Sequence, residues 1–144
     1  MKSLIAAAVL GLVASVAHAQ MAPTGLWKTI DDETKQPKAL VRITESGGVV
    51  TGKIEKLFDA SKQDSVCDLC TDERKNQKVV GLTIIRNVKQ DGDDKALWSG
   101  GEILDAAKGK TYKTRLKPVD GGKKMEVRGY IGFFYRTQVW ERVE

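Results

Sequence analysis

Two thiols three residues apart, Cys67-Asp68-Leu69-Cys70, are the most chemically suggestive feature of the 144-residue sequence. Their spacing serves three chemistries: half of a four-ligand zinc site, a thioredoxin-type redox pair, or a short disulfide. Zinc needs two further thiolates or imidazoles, and the rest of the chain offers no other cysteine and a single histidine, His18. A redox pair stands at a helix N-terminus that lowers the thiol pKa, and the surrounding sequence lacks the strand-then-helix setting. In an oxidising compartment the remaining reading is a structural disulfide between Cys67 and Cys70. The loop it closes is short, so its stabilisation belongs at the low end of the usual ~2–4 kcal/mol.

Two carboxylate clusters invite other chemistry. Asp91-Gly92-Asp93-Asp94 with Glu102 matches part of a calcium loop. Lys95, however, puts a cation where a ligand oxygen belongs, and Ala96 denies the sharp turn its glycine. Asp31-Asp32-Glu33 lies in a turn ahead of Pro37, where neither acid is desolvated as general acid–base catalysis by a carboxylate pair requires. The only histidine is close to the N-terminus, in a segment expected to be removed, which excludes Ser-His-Asp and Cys-His catalysis. No catalytic residue, metal site or cofactor is assigned, and the expected protein is not an enzyme.

The elements that must position any site read as β-strands. Eight segments rich in Val, Ile, Leu, Thr and aromatics are separated by Gly, Asp, Asn and Pro clusters. They are Gly25–Ile30, Lys38–Glu45, Val49–Leu57, Val79–Val88, Lys95–Leu104, Lys110–Lys117, Lys123–Tyr130 and Arg136–Val143. Leu40, Val41 and Ile43 sit among Arg42 and Thr44, and Met125 and Val127 alternate with charged residues, so one face is apolar and the other wet. Ser46-Gly47-Gly48, Asp91-Gly92-Asp93, Lys108-Gly109 and Asp120-Gly121-Gly122 carry residues suited to tight hairpins. Short turns make neighbouring strands antiparallel, and closure into an all-β, eight-stranded up-and-down barrel removes both sheet edges. The stretch from Asp59 to Lys78, which holds both cysteines, is the exception: a short helix or an ordered excursion over one barrel end.

Such a barrel fills its interior with side chains or holds one small ligand. Ile84, Trp98, Tyr112, Met125 and Val127 are candidates to line a cavity. Arg86, Arg128 and Arg136 interrupt alternating strands. An inward arginine needs an acidic ligand group or an internal carboxylate such as Asp105, and Arg128 joins the candidate ligand-binding set on that ground. The expected partner is a small apolar or amphiphilic molecule.

The N-terminus sets the compartment. Lys2, an apolar stretch from Leu4 to Val16 and the triplet Ala17-His18-Ala19 form a secretory signal, with cleavage expected after Ala19 and Gln20 as the first mature residue. The apolar stretch is shorter than the roughly 20 residues of a membrane-spanning helix, and no second span follows. Residues 20–144 are expected to form one domain, in the periplasm or outside the cell. The 24 basic and 19 acidic side chains interleave, giving a net charge of +5 without a basic run, which argues against a nucleic-acid partner. The sequence carries no signal for an oligomeric state.

Gly25-Leu26-Trp27 opens the first strand and Arg142 stands near the end of the last. In lipocalin-like (calycin) barrels a G-x-W opening lays the indole across the closed end, where a basic side chain of the final strand covers it by cation–π contact; Gly25, Trp27 and Arg142 are therefore structural candidates. Further motifs recur in order: Lys38-Ala39-Leu40-Val41-Arg42-Ile43, Gly52-Lys53-Ile54, Cys67-Asp68-Leu69-Cys70, Gly101-Glu102-Ile103-Leu104-Asp105, Gly109-Lys110-Thr111-Tyr112, Val127-Arg128-Gly129-Tyr130-Ile131-Gly132 and Arg136-Thr137-Gln138-Val139-Trp140. Over nearly all of Gly25–Val143 the chain resembles the bacterial domain-of-unknown-function family 2147. The resemblance implies a secreted or periplasmic lipocalin-like barrel without an assigned activity. Members often carry proline after the aspartate matching Asp105; here Ala106 stands there.

Overall fold

The computed structural model describes Gly11 and residues 21–144; the signal segment expected over residues 1–19, and its cleavage site, lie outside the described residues. Eight antiparallel strands close into a barrel in sequence order. They are β1 Gly25–Ile30, β2 Pro37–Ser46, β3 Val49–Leu57, β4 Thr83–Gln90, β5 Trp98–Asp105, β6 Lys110–Val119, β7 Lys124–Ile131 and β8 Phe134–Arg142. Two boundaries differ usefully from the sequence reading. β4 starts at Thr83 because Val79 to Leu82 belong to the end of the long excursion, although Gly81 and Leu82 still exchange backbone hydrogen bonds with Ile54. β5 starts at Trp98 because the Asp94 carboxylate accepts from the Ala96 N–H and the Asp94 carbonyl from the Leu97 N–H, holding Lys95 in a turn.

Cross-strand register separates two faces. Trp98, Leu116, Val127 and Gln138 form one row, Pro118, Met125 and Trp140 another, and Trp27, Val41 and Ile54 a third. Trp27, Val41, Leu116 and Met125 have no exposed surface at all, so this is the inner face. β2 contributes Ala39, Val41 and Ile43 to it, leaving Leu40 on the other side with Arg42. The opposite rows carry charge: Arg86, Glu102 and Lys113; Arg115 and Arg128; Lys117 and Glu126. A barrel crossing a membrane needs an apolar outer band, and this outer wall is the polar one. Among the described residues no helix is long and apolar enough to cross a membrane.

Up-and-down order puts the connections after β1, β3, β5 and β7 at one end, and those after β2, β4 and β6, with the outer ends of β1 and β8, at the other. The second end is closed. Trp27 donates its indole N–H to the Pro23 carbonyl at 2.8 Å, and the Arg142 guanidinium lies over its ring, 4.3 Å from the centroid. Arg142 also donates to the carbonyls of Thr24 and Ala22, both at 2.7 Å, and of Gly122. Burial pushes its pKa down, the direction desolvation imposes on a cation. Gly25, at φ 135°, is required here, because a Cβ would collide with the Glu144 carbonyl and the Arg142 guanidinium.

Truncating a large buried aromatic costs about 3–5 kcal/mol, a cation–π contact is worth about 0.5–2 kcal/mol and a hydrogen bond to a charged group about 1.5–3 kcal/mol. Trp27→Ala and Arg142→Ala should therefore each destabilise strongly, with Arg142→Lys between Arg142→Ala and wild type because the ammonium keeps the charge but not the planar fork. A denaturant-based double-mutant cycle should give non-additive losses; additivity within about 0.3–0.5 kcal/mol would show the two side chains uncoupled.

Candidate functional site

The interior is packed over most of its length. Val50, Ile85 and Val88 join Trp27, Val41, Leu116 and Met125 at 0% exposure, and Ile43 and Trp140 are nearly as closed, which leaves no water-sized void against them. Of the candidate ligand residues, Met125, Val127 and Trp98 stand on the inner face within this packing, at 0, 4 and 8% exposure. Ile84 is buried at an irregularity of β4, beside Ile85. Tyr112 is half-buried opposite Ile103, towards the other end of the barrel. Arg128 belongs to the outer rows, paired with Arg115 and Thr137.

Towards the end formed by the β1–β2, β5–β6 and β7–β8 turns, the inner face of β8 changes character. Trp140 is buried and donates its indole N–H to Gln138 Oε1 at 2.9 Å. Gln138 is half-buried, with Nε2 3.5 Å from Asp32 Oδ1. Arg136, next on this face, donates to both oxygens of Asp32 at 2.8 and 3.0 Å and to Glu33 at 3.1 Å. Indole, amide, carboxylate and guanidinium thus run from the packed core to the mouth. The inward arginine is Arg136, and its carboxylate is Asp32 rather than Asp105. Asp105 instead accepts from the Ala107 and Lys108 N–H groups in its own turn, while Arg86 faces outward onto Glu102, Glu73 and Asp72. The Asp31 carboxylate likewise caps its turn through Glu33 and Thr34 N–H, and Asp91 does so through Asp93 and Asp94.

The segment between β3 and β4 is an ordered excursion with one short 3-10 turn, Ala60–Lys62, and a bridge between Val66 and Lys78. Cys67 and Cys70 form a disulfide with Cα atoms 5.4 Å apart, and both are buried. The loop packs so closely on the β5–β6 turn that a Cβ at Gly109, whose φ is 67°, would collide with the Leu69 carbonyl. Arg74 ties the excursion to the barrel wall: it is 4% exposed, pairs with Asp72 at 2.6 Å and donates to the Thr83 carbonyl at 2.9 Å. Open clefts of about 450 and 440 Å³ flank Val80-Gly81 on the outside, one over Arg74 and Arg86, the other between Arg42, Lys53 and Glu55. Arg74, Arg86 and Arg42 are already committed to carboxylates, so neither cleft offers a guanidinium without an acid.

Residues 25–142 match the family described as an uncharacterized protein conserved in bacteria, DUF2147. The chain belongs to that family. None of the curated proteins compared with it matches. Among solved structures, protein HP1028 from the human pathogen Helicobacter pylori, described as belonging to the lipocalin family, is similar with a TM-score of 0.71. The two are 21% identical, over 84% of this chain and 82% of that one, a likeness of fold. The DUF2147 chain thus has a lipocalin-like barrel packed solid at one end, with polar side chains along β8 towards the other.

Sequence reasoning missed Gln138, the Asp32–Arg136 pair and Arg74. Gln138 sits two residues before a strand tryptophan, a spacing that puts both on one face, which was a usable signal. Asp32 and Arg136 are 104 positions apart and had none.

The hydrogen bond from the Arg74 guanidinium, then that from its backbone N–H, with further help from Arg86, lower the Asp72 carboxyl from 3.8 to about 2 against the opposing effect of burial. A carboxylate lowered on folding contributes stability that is complete above its unfolded pKa and is lost as pH falls through the folded one. Wild type should therefore lose more unfolding free energy than Asp72→Asn between pH 3.8 and about 2. Denaturant titrations across that window check this; parallel pH profiles would contradict it.

Proposed function

We propose that this is an exported, non-enzymatic binding protein that takes a small amphiphilic molecule at the open end of its barrel. The observation that carries the reading is the polar run of Trp140, Gln138, Asp32 and Arg136, which leads from an otherwise apolar and filled inner face to the rim of the barrel. Binding sites characteristically combine apolar walls with a few placed polar groups. Tyr112 and Ile103 supply the apolar side, half-buried on the same face. Arg136 is 46% exposed, and although Asp32 and Glu33 neutralise its charge, its Nη1 has no partner among the described residues, which leaves N–H groups for an acceptor on the ligand. Export is supported by the N-terminal sequence and by the disulfide, a bond that persists in oxidising compartments.

The filled interior favours one other reading, an envelope interaction or assembly role in which the outer surface binds another protein. A titration with 8-anilinonaphthalene-1-sulfonate, an anionic aromatic amphiphile, separates the two. Mouth binding should be saturable at one site. Losing a hydrogen bond to a charged group costs about 1.5–3 kcal/mol, so Arg136→Met should weaken it about tenfold or more, and Gln138→Leu should weaken it too. Lys89→Gln, exposed on β4, should leave it unchanged. No saturable binding, or binding indifferent to Arg136 and Gln138, would contradict the mouth and favour the surface role.

A further inference from the structure

The β7–β8 turn carries a concentrated apolar tip. Phe133 is 103% exposed, Phe134 79%, Tyr135 56% and Ile131 51%. Scattered exposed apolar side chains are ordinary in a folded protein, but four within a five-residue turn form a patch of the kind that marks an interaction site. Removing these side chains from water is what the tip lacks inside the molecule.

The wall behind the tip is cationic. Lys113 stands opposite Tyr130, which stands opposite Tyr135; Arg115 stands opposite Arg128. The Arg128 guanidinium lies 4.0 Å from the centre of the Tyr135 ring, and Lys110 begins β6 on the neighbouring turn. Arg42, Arg74, Arg86 and Arg136 each pair with carboxylates. Lys110 and Lys113 stand opposite Asp105 and Glu102 in the register, yet neither they nor Arg115 and Arg128 close a salt bridge with a described carboxylate, so four cations able to meet an external anion lie beside the exposed aromatics.

We propose that this hairpin docks the protein on an anionic phospholipid surface, with Phe133, Phe134 and Tyr135 in the interfacial layer and the four cations towards the headgroups. Aromatic rings favour that layer, and clustered basic side chains are drawn to anionic lipid. The charged outer wall keeps the barrel itself out of the hydrocarbon, so attachment is peripheral. A second copy of the chain fits less well. Tip-to-tip pairing would bring the two cationic walls together, and one hairpin turn is far smaller than the roughly 800 Å² per partner of a stable interface. The inference does not depend on a ligand occupying the mouth.

Co-sedimentation of the purified protein with vesicles tests it. Equimolar phosphatidylglycerol and phosphatidylcholine should bind at least tenfold better than phosphatidylcholine alone, with binding weakening as salt is raised. Phe133→Ser/Phe134→Ser and Lys110→Glu/Lys113→Glu should each reduce binding tenfold or more. All four side chains are exposed, and unchanged denaturation curves would show that the variants fold. Lys53→Glu/Lys89→Glu, exposed on β3 and β4, should bind as wild type. Equal binding to neutral vesicles, or losses as large from the β3 and β4 substitutions, would overturn the proposal. So would absent vesicle binding with a concentration-dependent dimer that the Phe133→Ser/Phe134→Ser variant abolishes in sedimentation equilibrium.

Discussion

Closure of a barrel depends on its last seam, and here the backbone secures only a short part of it. β1 and β8 register at Trp27 with Arg142 and Lys28 with Glu141, extended by hydrogen bonds between Leu26 and residues Val143 and Glu144. β7 and β8, by contrast, pair from Lys124↔Glu141 to Ile131↔Phe134. Side chains join the rest of the seam. Lys28 bridges to Glu141 at 3.1 Å, and Asp32 and Glu33 reach across to Arg136. At the outer end Arg142 gathers three backbone carbonyls while lying on Trp27. A cation buried there would be costly alone; three acceptors and an aromatic face offset that cost and tie residues 22–24 over the barrel floor.

The asymmetry of the seam divides the molecule into a closed end and a working end. Where the strands pair, the interior is filled by Trp27, Met125 and Trp140. Where they do not, polar side chains take over the inner face of β8. The excursion between β3 and β4 reinforces the opposite wall, held by the Arg74–Asp72 pair and by a disulfide that sets the loop against Gly109. Both features of functional interest, the polar run and the aromatic tip, gather around the part of β8 that does not pair with β1.

Much of the barrel is legible in the sequence because the strand period of two leaves a direct imprint: Ala39, Val41 and Ile43 point one way, Arg42 and Thr44 the other. The turns are equally plain, since Asp91 and Asp105 cap them from neighbouring positions. β4 is harder to place because apolar residues from Val79 to Ile85 run without clean alternation. Some belong to the excursion, and the register shifts between β3 and β4. The candidate site is the least legible part. Composition marks Trp98, Met125 and Val127 as interior but not that their neighbours close over them, and an arginine gives no local sign of which distant carboxylate will meet it. The apolar run Ile131-Gly132-Phe133-Phe134-Tyr135 reads as strand and turn; its exposure follows from where the barrel ends.

Residue-resolved amide hydrogen exchange tests the division directly. Amides bonded across the paired seam, Leu26 to the Glu144 carbonyl and Val143 to the Leu26 carbonyl, each 2.8 Å long, should exchange only through global unfolding, as slowly as Val41 in the core. In β8 between Phe134 and Val139, alternate amides turned away from β7 should exchange orders of magnitude faster. Early exchange at Leu26 and Val143, or uniform protection along all of β8, would contradict a barrel locked at one end and open along its seam at the other.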